Sequence, residues 1–447
     1  MLIYNVTIVN EGHSGLGYVV TNGAFISAVG SGDVPPQLLD SHRGDAIDGG
    51  GDMLLPGAID CHVHFREPGM THKATIASES RAAAAGGVTS FIDMPNTRPA
   101  TTTRALLDQK ADIAAATSMV NYGFMLGATI DNINELLRAD YSRVAAVKVF
   151  MGSSTGGMLV DDDSALRPIF SQVEAPIVVH AEDNATIARN AAAVRARLGI
   201  APGADVPVMW HSVVRDAEAC VRATDHAITL AQHYGSRLHV AHLSTAQETH
   251  FFDPATADDP SARITAEVSP HHLMWCSDDY ASRGARIKMN PAVKSAADRD
   301  ALRKGLADGR ISIIATDHAP HLLAEKQGGA FKAVSGAPLV QFSLPAVLSL
   351  FSAETAVARM CHTPARLFGI HKRGYIRPGY YADMVIVKRQ AHTVVDSDVL
   401  SLCGWSPLDG VTLQYQVSTT IVNGRVAYRD GVMADSSAAM ALTYHNV

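Results

Sequence analysis

Between residues 54 and 320 the chain repeats one theme, a short apolar run followed in most cases by a longer, Ala-rich, helix-favouring segment. Short apolar runs that alternate with helical segments predict parallel strands joined by crossover helices. Eight runs follow this pattern: LLPGAIDCHVH, VTSFIDMP, NYGFMLGA, VAAVKVFMG, PIVVHAED, RLHVAHLS, RITAEVSP and ISIIATDHAP. Eight parallel strands with intervening helices predict an α/β fold, a closed (β/α)8 TIM barrel.

The two ends of the chain carry a different pattern. VVTNGAFISAV near the start and VSTTIVNGRVAY near the end each place Asn-Gly between two β-type runs. Asn-Gly between such runs is the strongest short-range signal for a hairpin, so both ends are predicted to form antiparallel strands. If the two ends pair with each other, they form a small β domain beside the barrel.

Charge and composition narrow the class of partner. The net charge is -7, so no basic surface indicates nucleic acid or an anionic membrane, and a small-molecule substrate is expected. The first residues lack a signal-peptide pattern, and no apolar run approaches the roughly 20 residues that span a bilayer. Five scattered cysteines are typical of reduced thiols. We therefore expect a soluble protein of the cytoplasm.

Polar side chains of unusual type stand at the C-terminal ends of the predicted strands. Barrel active sites lie at that face, and side chains two residues apart on a strand point the same way. In DCHVHFREPG this spacing lets His62 and His64 reach one metal ion together. The residues that share this position are His62, His64, Lys148, His180, His242 and Asp317.

Lys148 is difficult to explain by packing, because it lies inside the apolar run VAAVKVF. An unpaired ammonium is costly to bury, and a desolvated lysine loses its proton easily. The free amine can capture carbon dioxide as a carbamate, an anionic group able to bridge two cations. A carboxylate from the acidic run Asp161 to Asp163 is an alternative bridge, although that run is also typical of a helix N-terminus.

The motifs GAIDCHVHFREPG, GGVTSFIDMPNTRP, KVFMGSSTG, EVSPHHL, KMNPAVK and ATDHAPH, taken together, resemble the dihydroorotase family of the amidohydrolase superfamily, in the subset with a carboxylated lysine. The resemblance covers nearly the whole chain. It implies a barrel over residues 56–374 and a small β-sandwich domain formed from residues 1–55 and 375–447. It further implies two zinc ions: His62, His64 and Asp317 would bind the more buried ion, His180 and His242 the second, and carboxylated Lys148 would bridge them.

The same resemblance implies substrate contacts. Arg66, Asn96 and His321 would bind the carboxylate of dihydroorotate, for which a planar guanidinium is well suited. Asn290 and the backbone near Gly336 and Ala337 would contact the pyrimidine ring.

The implied activity is the reversible, zinc-dependent cyclisation of N-carbamoyl-L-aspartate to L-dihydroorotate with loss of water, a step of pyrimidine biosynthesis. In the direction of ring opening, Asp317 is expected to accept a proton from the attacking water and to deliver it to the departing ring nitrogen. We expect a homodimer.

Three alternatives stay open at this point. An allantoinase or dihydropyrimidinase would share the scaffold and the metals, but neither needs Arg66, Asn96 and His321 for a substrate carboxylate. A non-catalytic homologue that serves as an assembly partner would typically lack metal ligands, and none is missing here. A simple metal-binding module would leave the carboxylate-binding residues without a purpose.

Overall fold

The structure is a computed structural model, and it describes residues 1–152, 157–201 and 203–445. Its centre is a barrel of parallel strands. Within these ranges the eight barrel strands are Ala58–Val63, Val88–Asp93, Asn121–Phe124, Val147–Phe150, Ile177–His180, Leu238–Val240, Ile264–Val268 and Ile313–Ile314. The (β/α)8 fold class predicted from the sequence is confirmed.

Pairing between neighbouring strands closes the barrel. The short strand Leu126–Gly127 follows the third barrel strand and pairs in parallel with the fourth. After the eighth strand, a parallel bridge joins His318 to Val63 of the first strand. The fourth and fifth strands align Phe150 with His180. The C-terminal ends of the strands therefore meet at one mouth.

Helices cover the outside of the barrel, and several begin at residues that cap them. Thr75 accepts a hydrogen bond from the backbone of Ser78, and Asp183 accepts one from Thr186. The longer helices are Ile76–Ala85, Arg104–Thr117, Asp163–Gln172, Asn184–Leu198, Ala217–Tyr234, Ala296–Ala307 and Ser343–Leu350. The shorter ones are Pro36–Ser41, Ile133–Leu137, His211–Val214, Pro270–Met274, Tyr280–Arg283, Ala353–Val357 and Thr363–Leu367.

The barrel strands are buried along almost their whole length, as expected for parallel strands covered on both faces. Val147 and Val149 of the fourth strand, for example, have no exposed surface and belong to the main apolar core. A polar side chain in such a strand loses its water and needs a protein partner, a ligand or a change of ionisation. Lys148 of the fourth strand and Glu267 of the seventh both lie in this environment.

A second sheet is built from both ends of the chain. Its strands, among the described residues, are Leu2–Asn10, His13–Asn22, Phe25–Ser31, Ala46–Asp48, Met53–Pro56, Met384–Lys388, Gln416–Val422, Arg425–Arg429 and Val432–Met433. Both Asn-Gly pairs form hairpin turns, and Gly23 and Gly424 have positive φ angles of 58° and 73°. Met53–Pro56 pairs with Met384–Lys388, which joins the two ends. The exact boundaries, 1–55 with 375–447 and 56–374, stay a prediction.

The cysteines are free thiols, and burial raises the pKa of Cys220 to about 12. Cys61 is also buried, one residue before His62. Every helix in the described part of the chain is too short or too polar to cross a membrane. The last four residues of the KVFMGSSTG run, 153–156, lie outside the described residues.

Candidate metal centre and active site

Four histidine rings from distant parts of the chain form one cluster at the mouth of the barrel. The ring centroid of His62 lies 5.4 Å from that of His64 and 5.3 Å from that of His242. The centroids of His180 and His242 are 4.8 Å apart. All four side chains are buried. The structure thus brings together the four histidines that the sequence singled out.

His62 and His64 form the first donor set with Asp317. The Nε2 atoms of His62 and His64 lie 3.4 Å and 3.0 Å from Oδ1 of Asp317. These three residues are close enough to hold one metal ion. Burial favours the protonated carboxyl group, but electrostatic attraction from His62 and the hydrogen bond with His64 hold the pKa of Asp317 well below its ordinary value. Asp317 therefore offers a carboxylate, which is the form that binds metal ions.

His180 and His242 form a second donor set. The Nδ1 atom of His180 lies 3.0 Å from Nε2 of His242, so one nitrogen of each ring faces the other. Burial lowers the pKa of His180 and holds that of His242 well below the ordinary value. Neutral imidazole is the form that binds metals. Two nitrogen donors thus converge beside the first set.

Lys148 extends from the fourth barrel strand and has no exposed surface. Its Nζ atom has no hydrogen-bond partner among the described residues. Burial lowers the pKa of Lys148 to about 8, and the opposing charges of Glu267 and Asp317 limit this shift. An orphaned amine with a lowered pKa beside two sets of metal donors fits a carbamate that bridges two metal ions.

The alternative bridge from Asp161 to Asp163 is not supported. All three carboxylates are exposed. Asp162 caps the helix Asp163–Gln172 by accepting a hydrogen bond from the backbone of Ser164 at 2.7 Å. The helix-start interpretation of this acidic run is therefore the one that the structure supports.

The donor sets open into a pocket of about 100 Å³. Gly336 lies on its wall with φ 123°, and a Cβ atom there would lie 2.8 Å from the carbonyl oxygen of Ala319. Ala337 is buried and is not part of the lining; its carbonyl accepts a hydrogen bond from the backbone of Ala319. The lining residues are His62, His64, Arg66, Asn96, Phe150, His180, His242, Asn290, Asp317, Ala319, His321, Ser335 and Gly336.

The wall of the pocket carries the side chains that the sequence assigned to a carboxylate. Arg66 is buried and has a positive φ of 64°, a conformation that non-glycine residues adopt mainly where the surroundings demand it. Its Nη2 atom lies 2.9 Å from Nε2 of His321, and its Nε donates to the carbonyl of Pro320. Asn96 Oδ1 lies 2.7 Å from Nδ1 of His64. A guanidinium group and an imidazole thus face the metal donors across a small space.

Asn290 lies on the same wall. Its Oδ1 atom is buried and accepts no hydrogen bond from the described residues. A buried acceptor without a donor is costly, and an N–H group of a bound ligand would satisfy it. The pocket therefore offers donors for an anion at Arg66 and an acceptor at Asn290.

Two buried carboxylates that the sequence analysis missed contact the candidate ligand histidines. Glu267 contacts Nδ1 of His62, lies 3.2 Å from Nε2 of His239 and accepts a hydrogen bond from the backbone of His242. Glu267 interrupts the apolar run RITAEVSP as Lys148 interrupts its own strand, and that signal could have identified it.

Glu182 supports the other donor set. It lies 3.0 Å from Nε2 of His180 and pairs with Arg215. Carboxylates behind ligand histidines fix the ring orientation and the tautomer. Phe150 and Ser335, which line the pocket, were also missed. They are ordinary residue types without a signal in the sequence.

Comparison with known proteins identifies the family of the chain. A sequence model of the amidohydrolase family matches residues 53–427. A dihydroorotase of Halobacterium salinarum is 38% identical over 405 residues, which cover 86% of this chain and 91% of that protein. A dihydroorotase of Bacillus subtilis is 31% identical over 96% of this chain and 98% of its own length.

Solved structures resemble the chain over its whole length. An L-hydantoinase (dihydropyrimidinase) from Arthrobacter aurescens has a TM-score of 0.90 at 26% identity and covers 99% of both chains. A dihydropyrimidinase from Brevibacillus agri has a TM-score of 0.85 at 22% identity and covers 98% of this chain and 97% of that one; this likeness bears on the fold alone.

Proposed function

The chain belongs to the amidohydrolase family, and we propose that it is a dihydroorotase that opens L-dihydroorotate to N-carbamoyl-L-aspartate and closes it again. The family model and the curated relatives, which are named dihydroorotases, support cyclic amide hydrolysis as the activity of this chain. The choice of substrate rests on the buried Arg66, which lies beside His321 in the pocket that the candidate metal donors also line. A guanidinium group in that position suits a substrate with a carboxylate on its ring.

The proposed metal centre holds two zinc ions. His62, His64 and Asp317 would hold one ion and His180 and His242 the other, with Lys148 carboxylated on Nζ between them. When bound, the ions would supply Lewis-acid polarisation of the amide carbonyl and a water molecule of lowered pKa. The donor types, nitrogen and carboxylate oxygen, are those that zinc prefers, and the unpartnered amine of Lys148 supports the carbamate.

The side chains of the pocket supply binding and proton transfer. Arg66, Asn96 and His321 hold the substrate carboxylate, and Asn290 accepts a hydrogen bond from the ring through Oδ1. Gly336 contributes backbone to the ring side of the pocket, with Ala337 directly behind it. These contacts fix the ring so that its amide carbon faces the histidine cluster.

Asp317 is the catalytic acid and base. Its carboxylate accepts the proton of the attacking water and delivers it to the ring nitrogen as the carbon–nitrogen bond breaks. The low pKa that His62 and His64 impose keeps Asp317 ionised before the reaction. In the reverse direction the same group takes the proton from the ureido nitrogen as the ring closes and water leaves.

Metal analysis and an activity assay on one sample test this proposal. Freshly purified protein should contain close to two zinc ions per chain and should interconvert dihydroorotate and N-carbamoyl-L-aspartate. Removal of the metal by a chelator should abolish turnover, and zinc with bicarbonate should restore it. Metal-loaded protein without activity on either compound would refute the assignment.

The biological setting belongs to the same proposal. Dihydroorotase activity would place the chain in pyrimidine biosynthesis, and we propose a homodimer in the cytoplasm. Light scattering of the purified protein tests the dimer, which predicts a mass of twice 47.4 kDa.

A second candidate is a dihydropyrimidinase or hydantoinase. The observation in its favour is the likeness to the Arthrobacter aurescens L-hydantoinase at a TM-score of 0.90. An uncharged cyclic amide would leave the donors of Arg66 and His321 without an acceptor. Turnover of dihydrouracil or hydantoin without turnover of dihydroorotate would favour this candidate.

A further inference from the structure

His321 lies between two cations. Its Nε2 atom is 2.9 Å from Nη2 of Arg66, and its Nδ1 atom is 3.1 Å from Nζ of Lys73. A guanidinium and an ammonium group are donors only, whereas a neutral imidazole has one nitrogen that accepts and one that donates. Arg66 and Lys73 each direct a donor at the ring, but a neutral ring can accept a hydrogen bond from only one of them.

Contacts outside the pocket hold the backbone of His321 and the ammonium group of Lys73. The indole Nε1 of Trp405 donates to the carbonyl of His321 at 2.7 Å. Lys73 Nζ donates to Oε1 of Glu325 at 2.6 Å, and the other carboxylate oxygen accepts from the backbone of Leu322. The backbone of His321 and the side chain of Lys73 are thus each held by a contact of their own.

The surroundings of His321 favour its uncharged form. Burial, followed by the charges of Arg66 and Lys73, holds the pKa of His321 below its ordinary value. A neutral ring carries its proton on one nitrogen, and the hydrogen bond made by the other nitrogen selects which one.

We infer that Lys73 is a positioning residue that selects the carboxylate-binding tautomer of His321. Lys73 donates to Nδ1, so the proton lies on Nε2 and points toward Arg66 and the pocket. The Nε2–H group and Arg66 are then two adjacent donors, and a carboxylate that lies beside them and accepts from both would satisfy them. This inference rests on the proposed function and extends it, because it assigns the preference for anionic cyclic amides to a residue outside the pocket lining.

The test compares wild-type metal-loaded enzyme with Lys73→Met and Lys73→Arg. Lys73→Met should raise the KM for dihydroorotate roughly 10-fold to 100-fold, the size expected for one hydrogen bond to a charged group. Its kcat should change by less than about threefold, because Lys73 does not line the pocket in which the bond is broken. Lys73→Arg keeps the charge and the donor and should recover most of the affinity.

Two controls separate this role from a general structural one. Lys388→Met removes an ion-paired lysine of the terminal sheet, whose Nζ lies 3.0 Å from Asp430, and should leave the KM unchanged. Inhibition by dihydrouracil, which lacks the carboxylate, should be equally strong in wild type and Lys73→Met. Thermal melting of each variant checks that the fold is intact.

A double-mutant cycle tests whether Lys73 acts through His321. In a His321→Asn background, Lys73→Met should change the KM by less than about threefold, because the ring that it positions is absent. Independent, multiplicative effects of the two substitutions would overturn the inference, as would a Lys73→Met variant with the KM of wild type. Absence of dihydroorotate turnover in the wild-type enzyme would instead refute the proposed function.

Discussion

The Nε2 atom of His64 lies 3.0 Å from Oδ1 of Asp317, although 253 positions separate the two residues in the sequence. His64 follows the first barrel strand and Asp317 the eighth, and the bridge between Val63 and His318 brings these chain segments side by side. Barrel closure therefore creates the first donor set.

Asp317→Ala should abolish turnover while the protein still folds. The variant loses a metal donor and the group that moves the proton, and loss of proton transfer alone costs roughly 10²-fold to 10⁴-fold in rate. Steady-state kinetics gives kcat, and circular dichroism checks the fold. Asp317→Asn, which keeps the shape of the side chain, should be almost as inactive. A near-normal rate in either variant would remove Asp317 from the chemistry.

Arg66→Met should raise the KM for dihydroorotate by roughly 100-fold, because it removes charge-assisted hydrogen bonds to the substrate carboxylate. Arg66→Lys is the matched control. It keeps the charge, but a single ammonium cannot reproduce the planar fork of a guanidinium, so recovery should be partial. An unchanged KM in Arg66→Met would contradict the assignment of this residue to the carboxylate.

Lys148 predicts a pH dependence of stability for the metal-free protein in carbonate-free buffer. Its pKa is about 8 in the fold, against 10.5 for an exposed lysine. Between these values the unfolded chain binds more protons than the folded one, so stability rises with pH. Relative to Lys148→Met, the wild type should gain on the order of 3 kcal/mol from pH 8 to pH 10.5.

Parallel melting curves of wild type and Lys148→Met measure this difference, since other titrating groups are shared by the two proteins. Below pH 8 the difference should be constant, because Lys148 is protonated in both the folded and the unfolded states. A difference that stays constant across the whole range would show that Lys148 keeps an ordinary pKa.

Glu267→Gln should weaken metal binding by roughly 10-fold to 100-fold, the usual effect of removing a carboxylate behind a ligand histidine. Zinc titration against a chelating indicator measures the affinity. The control is Glu248→Gln, a buried carboxylate that accepts from Thr224 and from the backbone of Ser244 and contacts none of the ligand histidines. Equal zinc affinities for Glu267→Gln and wild type would show that His62 needs no such support.

Much of the site could be predicted because a closed barrel brings the C-terminal ends of its strands to one place. Once the eight apolar runs were identified, His62, His180 and Asp317 had to lie at the same mouth. Lys148 could be predicted as a functional residue because a charged group inside an apolar strand requires an explanation. The two Asn-Gly turns were local and predicted their hairpins directly.

Other features depend on contacts that the sequence does not encode locally. Lys73 and Glu325 are 252 positions apart, and both lie in loops whose paths depend on the finished barrel. The tautomer of His321 follows from such a contact. The acidic run at Asp161 offered carboxylates of the right type, but the start of the next helix directs them into solvent.

The most direct test of the account is the ratio of kcat/KM for L-dihydroorotate to kcat/KM for dihydrouracil, measured on the same zinc-loaded sample. A site built to bind a carboxylate rejects a ring that lacks one, because buried donors are left without partners. We predict a ratio of at least about 100 in favour of dihydroorotate. A ratio near one, or in favour of dihydrouracil, would contradict the assignment.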